Sequence, residues 1–383
     1  KDYQVSTIAY ARYETDSLPS NQQLLDDLQE MLGYYQVYAD HVQSKNEPFS
    51  NQTSPNLNEK EQLPVKDTDV REHINIIKAY IRNKGFHYPD HLIDNFYLSI
   101  KTKPFVILAG ISGTGKTKLV KLFAEAIGAT TENGQFRLIP VRPDWSDPTD
   151  LIGYKDLTGT FRPGPLTEVV AEACQPENED KLYFICLDEM NLARVEHYFS
   201  DVLSLIETQE RKDERIVTNR LLPSNQLGEG DRLLYGGLYI PSNVIIIGTV
   251  NMDETTYPFS KKVLDRGNTI EFNYIKLDTF PNEQHDVVFP KTITNGQVSL
   301  FTSDYISLQE AYVNHAELIK ETTEKLIQIN ETLANIHAQI GFRVRDAFCF
   351  YLIYNKRFGL MSEDEAFDFQ LLQRILPRIQ GSN

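Results

Sequence analysis

The stretch GISGTGKTKL, Gly110 to Leu119, follows the apolar run Phe105-Val106-Ile107-Leu108-Ala109 and opens a segment with helical spacing. It fits G-x-x-x-x-G-K-[ST], a pattern that requires a strand, a tight turn and a helix in immediate succession. No other feature of the chain constrains the fold as much. Gly110, Gly113 and Gly115 permit turns whose amide hydrogens converge on phosphate oxygens, with a helix N-terminus behind them. Lys116 is placed to neutralise β- and γ-phosphate charge, and the Thr117 hydroxyl to coordinate Mg²⁺. Ser112, Thr114 and Lys118 complete the nucleotide-binding set. A glycine turn with a surface lysine would not need a strand before it and a helix after it.

From about Lys103, short apolar runs alternate with helical ones. FVILA, QFRLIPV, LYFICL and VIIIGTV are rich in β-branched or aromatic residues, and KTKLVKLFAEAIG, PLTEVVAEAC and VEHYFSDVLSLIET lie between them. Such alternation predicts an α/β fold, a parallel sheet covered on both faces. After Ser303 every periodic stretch is helical. The expected organisation is a helical N-terminal segment with a polar linker over 1–68, an α/β nucleotide-binding domain over 69–300, and a helical lid over 301–383. Within the first part, 20–43 reads as an amphipathic helix with Ser20 and Gln23 as a capping box. Ser44–Asp69 reads as a linker, and Asp69 and Glu72 cap the next helix.

A second signal is LYFICLDEMN. Its strand ends in Asp188 and Glu189, where the first carboxylate can hold Mg²⁺ and the second can polarise an attacking water. An acidic pair after a strand is ordinarily a solvated loop; the phosphate loop in the same sheet changes the reading. VIIIGTVNMDE ends a strand on Asn251, whose amide can orient that water; an Asn ending a strand is also commonplace, and the residues alone weigh the two evenly. KKVLDRGN places Arg266 before a turn, from which it could reach a neighbouring subunit's γ-phosphate or simply form a surface ion pair. Arg343 and Arg345 open a lid helix in GFRVRDAFCFYL, as γ-phosphate sensors or as an exposed helix end. LIGYKDLTGTFRPG, between the second strand and its helix, mixes aromatic and basic side chains, Tyr154, Lys155, Phe161 and Arg162, that could grip a polymer or partner segment, or is a surface connection. Trp145 reads as packing.

The formal net charge of −16 excludes a broad basic face for DNA. Any nucleic-acid contact would run through a local patch, a further domain or a partner. No apolar run approaches the roughly 18 residues of a membrane-spanning helix. The three cysteines, Cys174, Cys186 and Cys349, are scattered without metal-ligand spacing, which predicts a reducing, cytoplasmic setting and no zinc site. The chain opens on KDYQVSTIAY with neither Met nor a signal-peptide pattern, and closes on LPRIQGSN. The start leaves room for residues before Lys1 and the close at LPRIQGSN looks like an interruption, but the sequence does not decide whether the chain extends past either end.

In this order the motifs resemble the AAA+ module, an α/β nucleotide-binding domain followed by a helical lid, from roughly Asp69 onward. NFYLSIKTKPFVILAGISGTGKTKL, RPDWSDPTDLIGY, LDEMNLARVEHYFSDVLSLIE and GTVNMDETTYPFSKKVLDRGNTIEF look like the McrB-type motor subunits of modification-dependent restriction systems. The family's Met-Asn-Thr-Ala-Asp signature aligns with Val250-Asn251-Met252-Asp253-Glu254, so the asparagine is kept and its neighbours differ. Asp265 stands where the family often carries a second arginine beside the finger, here Arg266. The resemblance implies catalytic roles for Glu189, Asn251, Lys116 and Arg266, metal ligation by Thr117 and Asp188, and nucleotide sensing by Arg345 in preference to Arg343. It implies a homo-oligomeric ring, expected as a hexamer, using Mg²⁺ with GTP or ATP and stimulated by a McrC-like nuclease subunit. DNA would be handled through the pore, a partner or another domain, because the first hundred residues do not look like a DNA reader. A MoxR-like ATPase that remodels proteins is the alternative, and a slow nucleotide-switched scaffold is a third reading. The absence of an acceptor site and of an L-S-G-G-Q stretch argues against a small-molecule kinase and an ABC transporter.

Overall fold

Strand β1, Phe105–Gly110, is buried along its whole length, so it takes a place inside a sheet. The structure, a computed structural model, describes residues 67–212, 215–223, 227–252, 257–273 and 298–379. The helix read over 20–43, most of the polar linker, and Asp253 and Glu254 lie outside these residues.

The remaining strands are β2 (Phe136–Pro140), β3 (Gly153–Lys155), β4 (Phe161–Pro163), β5 (Tyr183–Asp188), β6 (Glu210–Lys212), β7 (Arg215–Val217), β8 (Val244–Asn251) and β9 (Asn268–Glu271). Five of them form one sheet in the order β2-β5-β8-β1-β9, every pairing parallel. The four apolar runs expected as strands are all in it. β9 was not expected, because NTIE is polar and short; it is held by its pairing with β1. β3–β4 and β6–β7 form separate antiparallel hairpins.

Because side chains alternate along a strand, each buried strand feeds two cores. Val106, Leu108, Phe184, Cys186, Ile245 and Ile247 face one side, with helices Asp67–Asn83, Asp90–Thr102 and Lys116–Ala126 and the C-terminal helices. Phe105, Ile107, Ile185, Leu187 and Ile246 face the other, with helices Pro165–Ala173, Val195–Tyr198 and Ser200–Ile206. The helix starting at Asp67 begins two residues earlier than its cap signal suggested.

The C-terminal region is helical, as expected. Helix Leu308–Ala334, capped by Ser307 accepting from the Glu310 amide, bends at His315, whose backbone leaves helical values. Helix Phe342–Phe358 packs along helix Asp90–Thr102 and ends at Gly359 in the left-handed region that suits glycine. Helix Glu363–Gln370 has a full Ser362–Glu365 capping box.

Phe123 marks where these parts meet. It is fully buried, with its ring 5.0 Å from Phe96, 6.4 Å from Phe184 and 6.2 Å from Phe301, which lie on three other elements. Phe123→Ala should lower the unfolding free energy by about 3–5 kcal/mol, read by denaturant titration.

Candidate nucleotide site

Parallel register brings the chemistry to one edge. Gly110 pairs with Asn251, Leu108 with Thr249, and Leu187 with Gly248, so β1, β5 and β8 end together. β8, which carries Asn251 at its end, lies between β5 and β1. The phosphate loop leaves β1 at this edge and enters helix Lys116–Ala126.

Gly113 and Gly115 have φ of 81° and 89°, the left-handed region open to glycine. At Gly115 a side chain would also collide with Tyr88, since an added Cβ would lie 2.9 Å from the phenol oxygen. That phenol donates to the Gly115 carbonyl at 3.0 Å, and burial pushes its pKa well above the ordinary value. Tyr88 is thus a support of the loop that sequence reasoning missed. Gly110 lets the backbone of Phe272 pass, because an added Cβ would lie 2.3 Å from the Phe272 carbonyl oxygen. Lys116 is buried, and its ammonium donates to the carbonyls of Gly110 at 3.0 Å and Ile111 at 2.7 Å. Ser112 and Gly113 are exposed at the tip; Thr114 donates its hydroxyl to the Ile111 carbonyl. Lys118 lies over the Phe86 ring, so its side chain braces the loop's flank.

Asp188 Oδ1 accepts two hydroxyl hydrogen bonds, from Thr117 at 2.6 Å and from Thr249 at 2.7 Å. Thr249 also accepts the amide hydrogen of Glu189 at 3.0 Å. Glu189 Oε1 in turn accepts from the Asn251 amide at 2.8 Å. The Asn191 amide donates to the Asn251 carbonyl, fixing that strand end from the other side. Five of the residues singled out in the sequence therefore converge: Lys116, Thr117, Asp188, Glu189 and Asn251. Thr249 and Asn191 join them unannounced. A lone hydroxyl at the end of the apolar run VIIIGTV was the one available signal for Thr249.

Glu189 sits at φ 52°, ψ 48°, a left-handed backbone that costs a non-glycine residue about 1 kcal/mol or more. The Thr249 hydroxyl, the Leu192 amide bonding back to the Glu189 carbonyl, and Tyr198 donating to the Met190 carbonyl hold it there. Met190 beneath is fully buried over Gly248, where an added Cβ would lie 2.4 Å from its sulfur. Trp145 packs against Tyr198 with ring centres 5.3 Å apart, a packing role as expected.

The donor set suits a hard divalent cation that keeps most of its water: one hydroxyl and one carboxylate side by side at a phosphate loop. No cluster of three or more His, Cys, Asp or Glu able to cage a metal occurs among the described residues. Cys174, Cys186 and Cys349 are free thiols, and burial raises the pKa of each. Among the described residues no helix is long and apolar enough to cross a membrane.

The remaining candidates stand apart. Arg266 lies on the turn before β9, its nearest polar contact a long 3.5 Å to the Ser204 hydroxyl. Arg343 forms an ion pair with Glu207 at 2.6 Å, and Glu207 is 3.6 Å from Lys103, two residues before β1 begins. This is the opposite end of β1 from the phosphate loop. Arg345 is occupied by Asp346, through Nε at 2.9 Å and Nη2 at 2.7 Å, and stacks over Phe342. The structure thus does not bring either arginine to the loop. LIGYKDLTGTFRPG forms the β3–β4 hairpin, with Tyr154 and Leu157 exposed; Phe161, expected among the gripping side chains, is instead buried in the core against Tyr235. Hydrogen bonds from Thr158, with further ones from Thr160 and Arg162, hold the Asp156 carboxyl at its turn down to about 2.

With this geometry in view, the comparisons are specific. Residues 105–266 match the AAA domain of the dynein-related subfamily. The fold is an AAA+ core followed by a helical domain. Residues 292–383 match a domain family of unknown function, and residues 1–40 match the MrcB-like N-terminal domain. The chain is 25% identical over 197 residues to the type IV methyl-directed restriction enzyme EcoKMcrB subunit of Escherichia coli, covering 50% of this chain and 39% of that one. It is 27% identical over 238 residues to the chaperone MoxR1 of Mycobacterium tuberculosis, covering 59% of this chain and 51% of that one. The chain therefore spans about half or less of each relative's length. A crystal structure of a provisionally assigned ATPase from Cytophaga hutchinsonii aligns over 81% of this chain and 86% of its own, with TM-score 0.46 and 16% identity.

Thr249→Val keeps the side-chain shape and removes the hydroxyl shared by Asp188 and Glu189. It should lower the unfolding free energy by about 1–3 kcal/mol, and Thr249→Ser should restore it, both read by thermal unfolding.

Proposed function

We propose that this chain is a Mg²⁺-dependent nucleoside triphosphatase of the AAA+ type, acting as the motor subunit of a McrB-like restriction assembly. One observation carries the hydrolytic reading. Asn251 and Glu189 meet at 2.8 Å beside a carboxylate already bonded to the phosphate-loop threonine. A metal-holding group and a water-handling pair thus stand at one strand edge, which a nucleotide-holding scaffold would not need.

Residues 110–118 cradle the phosphates of GTP or ATP, with amide hydrogens and the Lys116 ammonium as donors. Thr117 and Asp188 would hold Mg²⁺, which when bound screens phosphate charge and orients the triphosphate. Glu189 accepts a proton from the attacking water while Asn251 fixes the carboxylate that does so. Arg266 of a neighbouring subunit stabilises charge developing on the γ-phosphoryl group, which makes the site complete only in an oligomer, a hexameric ring by the resemblance. Arg345 would serve as a sensor only after leaving Asp346.

The restriction reading is supported by the match at residues 1–40 and the likeness to the restriction-enzyme subunit. It carries with it a McrC-like nuclease partner, DNA as the polymer acted upon, and a cytoplasmic setting. The likeness to MoxR1 favours a second reading, an ATPase that remodels protein. Steady-state phosphate release with ATP and with GTP, alone and with the product of the adjacent gene, separates the two. GTP preference and stimulation by that neighbour fit the restriction motor; ATP hydrolysis indifferent to it fits the remodelling reading.

Glu189→Gln should bind nucleotide normally and lose about 10²-fold or more in turnover. Arg266→Ala should also bind and lose about 10³-fold. Mixing these two variants should restore hydrolysis above the sum of the separate activities, since each supplies what its neighbour lacks. No recovery would mean that Arg266 does not act across a subunit boundary.

A further inference from the structure

The turn that presents Arg266 is gripped by two buried arginines from the far end of the chain. Helix Glu363–Gln370 passes into a π turn at Leu371–Ile375 and a 3₁₀ turn at Leu376–Arg378, irregular windings that often mark a functional placement. Arg374, 1% exposed, donates through Nε to the Asn268 side-chain oxygen at 2.6 Å and through Nη1 to the Asp265 carbonyl at 3.2 Å. Arg378, also buried, stands 3.2 Å from the Asp265 carboxylate as an ion pair off the line of a hydrogen bond. Its other terminal nitrogen donates to the Gln339 carbonyl at 3.1 Å.

The residues held are 265 and 268, which bracket Arg266 and Gly267. Gly267 itself lies against Phe105, where an added Cβ would be 2.8 Å from the ring, so the turn is pressed onto β1. Asn268 is anchored a second time through its amide to the Ser99 carbonyl. By contrast, among the described residues the Arg266 guanidinium makes one long contact, 3.5 Å to the Ser204 hydroxyl. The backbone of the turn is fixed on both sides while its arginine extends past it.

Two buried guanidinium groups are a costly way to fill space. Burial lowers the Arg374 pKa to about 10, and one of its nitrogens lacks a hydrogen-bond partner. Apolar residues of similar volume would pack at less desolvation cost, so such groups fit a role in fixing geometry rather than in adding stability. Asp265 supplies the matching carboxylate, at the position where the resemblance expected a second arginine.

We propose that Arg374, Arg378 and Asp265 are positioning residues for Arg266, by which the C-terminal helical domain of one subunit sets hydrolysis at its neighbour's site. The inference rests on the reading of Arg266 as a group that acts across the subunit boundary. It makes the helical domain part of the finger's support, in addition to its packing on helix Asp90–Thr102.

The test is phosphate release, nucleotide affinity and particle mass for Arg378→Ala, alone and mixed with Glu189→Gln subunits. Arg378→Ala should lose about tenfold or more in turnover, the scale of a slightly misplaced catalytic group, with nucleotide affinity and particle mass unchanged. Mixing should raise activity above the sum of the two, because the Glu189→Gln subunit offers an undisturbed Arg266 to an intact site. Arg378→Lys should recover part of the loss. Should Arg378→Ala fail to fold, Asp265→Asn, which keeps the volume and removes the charge, takes its place. Unchanged turnover, or a loss that mixing with Glu189→Gln does not relieve, overturns the proposal. The parallel mixture of Arg266→Ala with Glu189→Gln separates the two failures. If it too shows no recovery, the reading of Arg266 fails first; if it recovers and the Arg378→Ala mixture does not, only the positioning role fails.

Discussion

One carboxylate oxygen organises the site. Asp188 Oδ1 takes the hydroxyl of Thr117, from the helix after β1, and the hydroxyl of Thr249, from β8. It thereby ties the ends of three strands into one plane. Each hydrogen bond to a charged acceptor contributes about 1.5–3 kcal/mol, but the geometric effect is larger than that figure suggests. The Thr249 hydroxyl that donates to Asp188 also receives the Glu189 amide, so it holds the left-handed turn that lifts the Glu189 carboxylate toward Asn251. If the Asp188 contact is lost, the Thr249 hydroxyl that receives the Glu189 amide is no longer oriented. Sheet register is what makes this possible, because only parallel neighbours ending at one level can share a single oxygen.

The parts of the fold legible in the sequence are those whose signals are local. A strand buried on both faces writes itself as FVILA or VIIIGTV, and the phosphate loop requires glycine where φ is positive. The placement of Asp188, Glu189 and Asn251 was legible because each stands at, or one residue past, the end of such a strand. Strand β9 was not, since NTIE has no apolar pattern and is held by non-local contacts, its pairing with β1 and the bonds of Asn268 to Arg374 and Ser99. Glu189's backbone and the Tyr88 support were equally silent: the first depends on Thr249 sixty residues away, the second on one loop crossing another. The arginines at 343 and 345 carry the clearest lesson. Their sequence context announces the start of a helix correctly, but where that start lies is decided by long-range packing that no local pattern encodes.

That packing carries a chain of polar side chains inside an apolar core. Tyr351 donates to Asn95 at 2.8 Å, Gln373 also donates to Asn95, and Ser99 donates to Gln373 at 3.1 Å, all of them buried. Apolar faces alone would let two helices slide by fractions of a turn at little cost. A chain of buried amides and hydroxyls does not, because any slip leaves a polar group without its partner at about 1–3 kcal/mol each. The helical domain is therefore held in register against helix Asp90–Thr102, the element that leads directly into β1.

The same register extends along the amino-terminal edge of the sheet. At the amino end of β1, Glu207 is shared between Lys103 and Arg343, and burial lowers the Lys103 pKa while Glu207 opposes the shift. At the turn before β9, Arg374 and Arg378 hold Asp265 and Asn268. Rotation of the helical domain about helix Asp90–Thr102 would strain both sets of contacts at once. Small changes in that domain are then transmitted to the base of β1 and to the Arg266 turn together, rather than absorbed in a soft interface. For the motor proposed above, such stiffness between the helical domain and the α/β core of one subunit would matter, since compliance there would dissipate the motion before it reached a neighbour.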